Sequence, residues 1–140
     1  AAIPVFVDKA IKNETIELWG GGEVFRDVNY VDDVVDAFLL VASSDCNGEV
    51  FNLGCCLGRF GMENPIGENL LSIKNIAEKI AKIAGSGTIK IIQYPEERKF
   101  VEPGHFAADI SKISKLGWKP KTSIEDGLRK TIEWRRLNFT

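Results

Sequence analysis

"FRDVNYVDDVVDAFLLV", Phe25 to Val41, decides how this chain is read. It sets an arginine, four aspartates and a tyrosine against a strongly apolar stripe. From Val31 onward, apolar residues at 31, 34, 35, 38, 41 and 42 mark one face of a helix. Asp32 and Asp33 fall in its first turn, where the helix dipole favours negative charge. Two of the four aspartates are thereby explained without chemistry. Val24 to Tyr30 reads as extended chain, which places Arg26 and Asp27 on a strand-to-helix turn. An arginine there is either half of a surface ion pair with Asp27 or Asp32, or a guanidinium facing a ligand.

Outward from this stretch, strands and helices alternate. Residues 3–12 read as a short helix, with Pro4 tolerated in its first turn. "TIELW" (15–19) has strand composition and is broken by Gly20, Gly21 and Gly22. "EVFNLG" (49–54) reads as a short apolar strand, and the Gly/Asn/Pro-rich residues 55–69 as one long loop. Ser72 caps "SIKNIAEKIAKIAG", with Ile73, Ile76, Ile80, Ala81 and Ile83 inward and Gly85 as the stop. "TIKIIQY" (88–94) is a strand, and residues 95–106 form a polar loop. Asp109 and Ser123 read as N-caps of two closing helices. Trp118 and Trp134 are assigned to the core. The fold class is α/β (α+β): a short mixed sheet packed with four or five helices, in one domain, 1–140.

The bulk composition excludes several functions. The 140 residues suffice for one ordinary domain. Hydrophobic residues make up 44% and charged residues 27%, with a formal charge of -2. No basic excess calls for nucleic acid, and no apolar run approaches the ~20 residues of a membrane span. The start, "AAIPVFVDKA", is unlike a secretory signal. The odd count of three cysteines fits a reducing, cytoplasmic setting. Cys46, Cys55, Cys56 and His105 lack zinc-ligand spacing, so no metal site is expected. A thiol enzyme built on Cys55 or Cys56 would need an activating base, and the chain has a single histidine.

Four motifs in series are more specific: "RDVNYVDDVVDAFLL", "GEVFNLG", "SIKNIAEKIAKIAG" and "EPGHFAADISKISKLGWKPKTSIEDGLRKTIEW". In this order and spacing they resemble the C-terminal half of the extended short-chain dehydrogenases, the NAD-dependent sugar-nucleotide epimerases and dehydratases. The likeness runs from Ile3 to Trp134. It implies the part that holds the nucleotide sugar, without the Rossmann half. The chemistry-bearing motifs of that half are missing. Neither G-x-G-x-x-G nor G-x-x-G-x-x-G occurs, and Gly58 and Gly61 lie in the long loop. The family's tyrosine has a lysine four residues later, whereas Tyr30 is followed by Val34 and Tyr94 by Arg98.

By this resemblance Arg26 holds the sugar-nucleotide diphosphate, a task that suits a permanently charged, bidentate guanidinium. Asp27 and Asp33 brace Arg26 or cap the helix. Asn52 matches a position near the phosphates; taken alone, it is a turn asparagine before Gly54. Arg98 matches a basic residue for phosphate or ribose, or is one member of a solvated charge run. His105 lies in the turn near the base, or is an ordinary loop histidine. Pro4, with Ile3 and Phe6, matches a stretch lining the substrate pocket, although Phe6 fits the core better. Two departures stand out. Cys55 and Cys56 replace the glycine after "NLG", and Glu102 stands where some relatives carry an arginine.

The sequence therefore reads as the substrate-binding domain of a nucleotide-sugar epimerase or dehydratase, as in a UDP-glucose 4-epimerase. It has no catalytic residues and no cofactor site of its own, NAD belonging to the full-length family. The alternative is a binding or assembly module that keeps the fold without ligand. The expected partners are a nucleotide sugar, bound weakly or not at all, and either a separate Rossmann half or a second copy in a homodimer.

Overall fold

The computed structural model describes residues 2–57, 68–99 and 104–138. Its elements run α1 (Ala2–Ile11), β1 (Thr15–Trp19), a 3-10 turn (Gly20–Gly22), β2 (Phe25–Asp27), α2 (Val31–Ala42), β3 (Leu70–Ser72), α3 (Ile73–Ala84), β4 (Thr88–Ile92), α4 (Glu96–Lys99), α5 (Ser111–Ser114) and α6 (Ile124–Asn138). The α/β expectation holds. Two pairs of strands stand in place of one continuous sheet: β1 with β4, and β2 with β3. The chain divides into two compact units: residues 1–25, 72–105 and 125–140, and residues 26–71 and 106–124.

In the first unit, β1 and β4 are parallel, registered from Thr15 against Thr88 to Trp19 against Ile92. Parallel strands need a crossover, and α3 leads directly into β4. The helix starts where the sequence places it, because Ser72 Oγ accepts the Asn75 N–H at 3.1 Å. It stops at Gly85, whose φ of 70° is the left-handed conformation that side chains resist. The strand starts are tied together. Ser86 Oγ donates to the Ala10 carbonyl at 2.7 Å, and the Gly87 N–H donates to Asn13 Oδ1 at 3.0 Å. Val7, Ala10, Ile16, Ile76, Ala77, Ile80 and Ile132 are all at most 1% exposed. Each large aliphatic side chain so buried is worth about 1.5–3 kcal/mol of transfer free energy. Arg136 closes the far end by donating to the Ala84 carbonyl at 2.7 Å, the last residue of α3.

In the second unit, Ala37, Ile110, Ile113 and Trp118 form a core, and Leu40, Val41, Phe51 and Leu53 pack against it. Trp118 Nε1 donates to the Asp33 carbonyl at 2.9 Å, which satisfies the polar end of a buried ring. Lys112 pairs with Glu49, donates to the Val50 carbonyl at 2.8 Å and lies 4.8 Å from the centre of the Phe51 ring. That ammonium holds the exposed Glu49 carboxyl below its ordinary range, first through the hydrogen bond and then through its charge.

The structure corrects several sequence expectations. Residues 49–54 form no strand, since no neighbouring strand meets them among the described residues. The inward face of α2 carries Asp33 and Ala37, while Val31, Val35 and Phe38 are exposed. Inward positions of α3 are Ile76, Ala77, Ile80 and Ala84. A short helix, α4, interrupts the 95–106 loop. Trp118 is buried as expected, but Trp134 is 55% exposed. Of the 55–69 loop, residues 58–67 lie outside the described residues, as do Glu102 and Pro103.

Candidate functional site

The Arg26 segment belongs to the second unit. β2 holds Arg26 half-buried, bridged in parallel to Phe106. Next to it, Asp27 Oδ2 accepts the Ala108 N–H at 2.8 Å. The Asp27 side chain therefore fixes the 106–109 segment beside β2. Gly54 closes the same group. With the Asn29 amide oriented to satisfy both atoms, its nitrogen donates to the Gly54 carbonyl and its oxygen accepts the Gly54 N–H, each at 3.2 Å. A Cβ on Gly54 would overlap Asp27 Oδ2 and come within 2.8 Å of Ala108 Cβ. Glycine is required there for space. Asn52 lies two residues earlier and is exposed.

Asp33 has a different task from the capping role given it above. It is only 3% exposed, and Oδ2 accepts the Thr122 N–H at 3.0 Å. Asn69 Nδ2 donates to the Thr122 carbonyl at 3.0 Å, so both backbone groups of Thr122 are held. Asp36, mid-helix, pairs with Lys121 at 2.8 Å on the surface.

Cys55 and Cys56 follow Gly54 and are fully buried, with their sulfurs 3.9 Å apart. Both are free thiols, as is Cys46. Burial pushes the Cys55 thiol far up, helped by its neighbour Cys56. Burial also raises Cys56, with a further push from the charges of Asp27 and Asp109. Burial thus disfavours the thiolate form of both, which lends the thiol-enzyme reading no support. Among the described residues, no group of three or more His, Cys, Asp or Glu side chains is arranged for a metal ion.

The other candidates belong to the first unit. Pro4 is exposed in the first turn of α1. Arg98 lies on α4. His105 is exposed. Its Nδ1 accepts the Phe25 N–H at 3.2 Å, and its ring is 5.5 Å from that of Phe25. The glycine triplet after β1 leads into a single 3-10 turn and then β2. No helix N-terminus stands there to receive a pyrophosphate, so these residues do not fit a dinucleotide cofactor.

The sequence reading named Arg26 and Asn52 as candidates and did not anticipate that Asn29, Asp27 and Ala108 meet around Gly54. Asn29 sits inside the same quoted motif. The closeness of Gly54 depends on a residue 54 positions further along, which no local pattern reveals.

Comparison with known proteins puts this geometry in context. A family model described as GDP-mannose 4,6 dehydratase matches residues 1–131. The dTDP-glucose 4,6-dehydratase of Haemophilus influenzae is 32% identical over 97% of this chain, which spans 40% of that protein. Among solved structures, UDP-glucose 4-epimerase from Thermotoga maritima with UDP-glucose superposes with a TM-score of 0.76 at 28% identity, covering 100% of this chain and 40% of that one. UDP-glucuronic acid 4-epimerase from Bacillus cereus, in complex with UDP-glucuronic acid and NAD, gives a TM-score of 0.78 at 26% identity, covering 99% and 40%. No helix among the described residues is long and apolar enough to cross a membrane.

Proposed function

This chain belongs to the GDP-mannose 4,6-dehydratase family of NAD-dependent extended short-chain dehydrogenases, and from that membership we propose that these residues form the nucleotide-sugar-binding part of a dehydratase or epimerase. The observation that carries the reading is the fixed placement of Arg26. Asp27, Asn29 and Gly54 hold its neighbourhood through hydrogen bonds and close contact, so the guanidinium stands on rigid backbone. A pre-positioned guanidinium binds a diphosphate with less ordering cost than a mobile one. Asn52 is the second phosphate-side contact. Pro4, Arg98 and His105 are the remaining substrate-side residues, with His105 oriented by the Phe25 N–H.

The chain performs no turnover alone. Its sequence has no glycine fingerprint and no Tyr-x-x-x-Lys pair, and its glycine triplet leads into β2 with no α-helix between. NAD is bound by another part of such an enzyme, which carries out the redox chemistry in a reducing, cytoplasmic setting. The partner that completes this chain is a dinucleotide-binding half or a second copy. The assembly-module reading draws support from the exposed face of α2, where Phe38 is 67% and Leu39 64% exposed.

Calorimetric titration with UDP-, dTDP-, GDP- and CDP-sugars tests the proposal. Arg26→Ala should cost about 1.5–3 kcal/mol of binding free energy, the worth of a hydrogen bond to a charged group. Unchanged affinity in that variant would return Arg26 to a surface ion pair.

A further inference from the structure

The connection from the end of α2 to residue 50 is anchored at both ends. At the helix end, the Ser43 and Ser44 hydroxyls donate to the Leu40 carbonyl at 3.0 and 2.7 Å. The Cys46 thiol donates to the Val41 carbonyl at 3.5 Å. At the other end, Lys112 pairs with Glu49 and donates to the Val50 carbonyl. Asn47 and Gly48 stand between these anchors, and both are exposed.

No other asparagine of the chain is followed by glycine. The pair forms the middle of a turn closed by the Glu49 N–H, which donates to the Cys46 carbonyl at 3.2 Å. Gly48 has a φ of 76°, a left-handed value that glycine supplies without strain. Nothing lies within 4 Å of the place its Cβ would take, so this side of the peptide is open. Among the described residues, neither the Gly48 N–H nor the Asn47 side chain has a hydrogen-bond partner.

That combination suits an intramolecular attack. A backbone nitrogen closes a five-membered ring on the side chain before it when its N–H is untied, the amide is free to turn and no β-carbon obstructs the approach. Other asparagines fail on one count or more. Asn13 is held by the Gly87 N–H, and the nitrogen after it, that of Glu14, donates to the Lys9 carbonyl at 2.8 Å. Asn69 is buried with its amide on the Thr122 carbonyl, and Asn29 is held by Gly54.

We propose that Asn47 is a site of spontaneous covalent modification, converted by water to an aspartyl or isoaspartyl residue. The Gly48 nitrogen bonds to Asn47 Cγ. The Cγ–Nδ2 bond breaks, and Nδ2 leaves as ammonia with the proton from the Gly48 nitrogen. Water then opens the succinimide, its hydroxyl going to one of the two ring carbonyls and its proton to the nitrogen. Opening at one carbonyl gives aspartate. Opening at the other routes the main chain through the former side chain and adds one methylene to the turn. Either product sets a new carboxylate two residues from Glu49, whose partner Lys112 also holds the Val50 carbonyl.

The test is to incubate the 140-residue chain at neutral and at mildly alkaline pH, digest it, and sequence the peptides by a fragmentation that separates aspartyl from isoaspartyl. Asn47 should lose its amide several-fold faster than every other asparagine, with isoaspartyl among the products. The rate should rise with pH, because the deprotonated nitrogen is the attacking form. It should be similar in the folded chain and in urea, since the fold leaves this turn free. Asn47→Gln, at an exposed position, should keep the fold and remove the isoaspartyl signal, because its ring would be six-membered and closes slowly. The NMR signal of Glu49 should move as conversion proceeds in the parent chain and stay fixed in that variant. Loss at Asn47 no faster than elsewhere, or several-fold suppression in the folded chain relative to urea, overturns the proposal. An undiminished isoaspartyl signal in Asn47→Gln also overturns it, by placing the modification at another residue.

Discussion

The two units bury similar kinds of residues but differ in how complete they are. In the first, β1 and β4 pair along their full length, and Phe6, Val7 and Ala10 of α1 and Ile76, Ala77, Ile80 and Ala84 of α3 are turned inward. Its exposed apolar side chains, Val5, Trp19, Ile91, Trp134 and Leu137, are spread over four elements. In the second, the exposed apolar residues concentrate on α2 and on the unpaired chain beside it. The stretch that carries Arg26 lies in that second unit. The difference teaches that local structure can be equally well specified in two units that turn their apolar residues inward to different degrees.

The largest expected effect measures that difference directly. Ile80→Ala removes a fully buried side chain of the first unit and should cost about 2–5 kcal/mol of stability by urea denaturation. Phe38→Ala, at a larger but exposed side chain of the second unit, should cost less than about 0.5 kcal/mol in the 140-residue chain. Comparable losses would show that the α2 stripe is already packed, and the contrast would fall.

Next in size is Asp33→Ala. It strands the Thr122 N–H and should cost about 1–3 kcal/mol, although Asp33 is one of four aspartates within a single charged stretch. Asp32→Ala, on the exposed side of the same turn, is the matched control and should stay near zero. Equal effects would make Asp33 an ordinary first-turn acid.

A smaller effect comes from the buried thiols of the second unit. Burial raises both, so the folded state favours the protonated form. Their contribution is intact below the ordinary thiol pKa, about 8.5, and is lost as pH rises above it. Each thiol gives a slope of at most about 1.4 kcal/mol per pH unit. The urea midpoint should therefore fall between about pH 8.5 and 10, and the double variant Cys55→Ala/Cys56→Ala should fall less steeply. Parallel curves would assign the alkaline loss to other groups.

What could be read from the sequence follows the same division. The limits of α3 were legible because its signals are local: a serine at the start, a glycine at the stop, and a regular apolar repeat between them. β1 was legible because Gly20 breaks it. α2 was legible as a helix but its buried face was not, since its apolar residues serve two flanks and periodicity cannot rank them. "EVFNLG" was read as a strand from composition, but a strand also needs a neighbour. Trp134 was assigned inward on size, although α6 leaves that side exposed. In the candidate site, the motif made Arg26 a candidate. The partners of Asp27 and Asp33 lie 81 and 89 residues downstream, where no spacing rule reaches.

The most direct test of the central claim, a nucleotide-sugar part separate from the cofactor part, is a paired titration of the 140-residue chain followed by NMR. UDP-glucose should shift the backbone signals of Arg26 and Asn52, and NAD should bind no tighter than about 100 μM, roughly -5.5 kcal/mol. Tighter NAD binding, with the sugar nucleotide leaving Arg26 and Asn52 unmoved, would contradict the account.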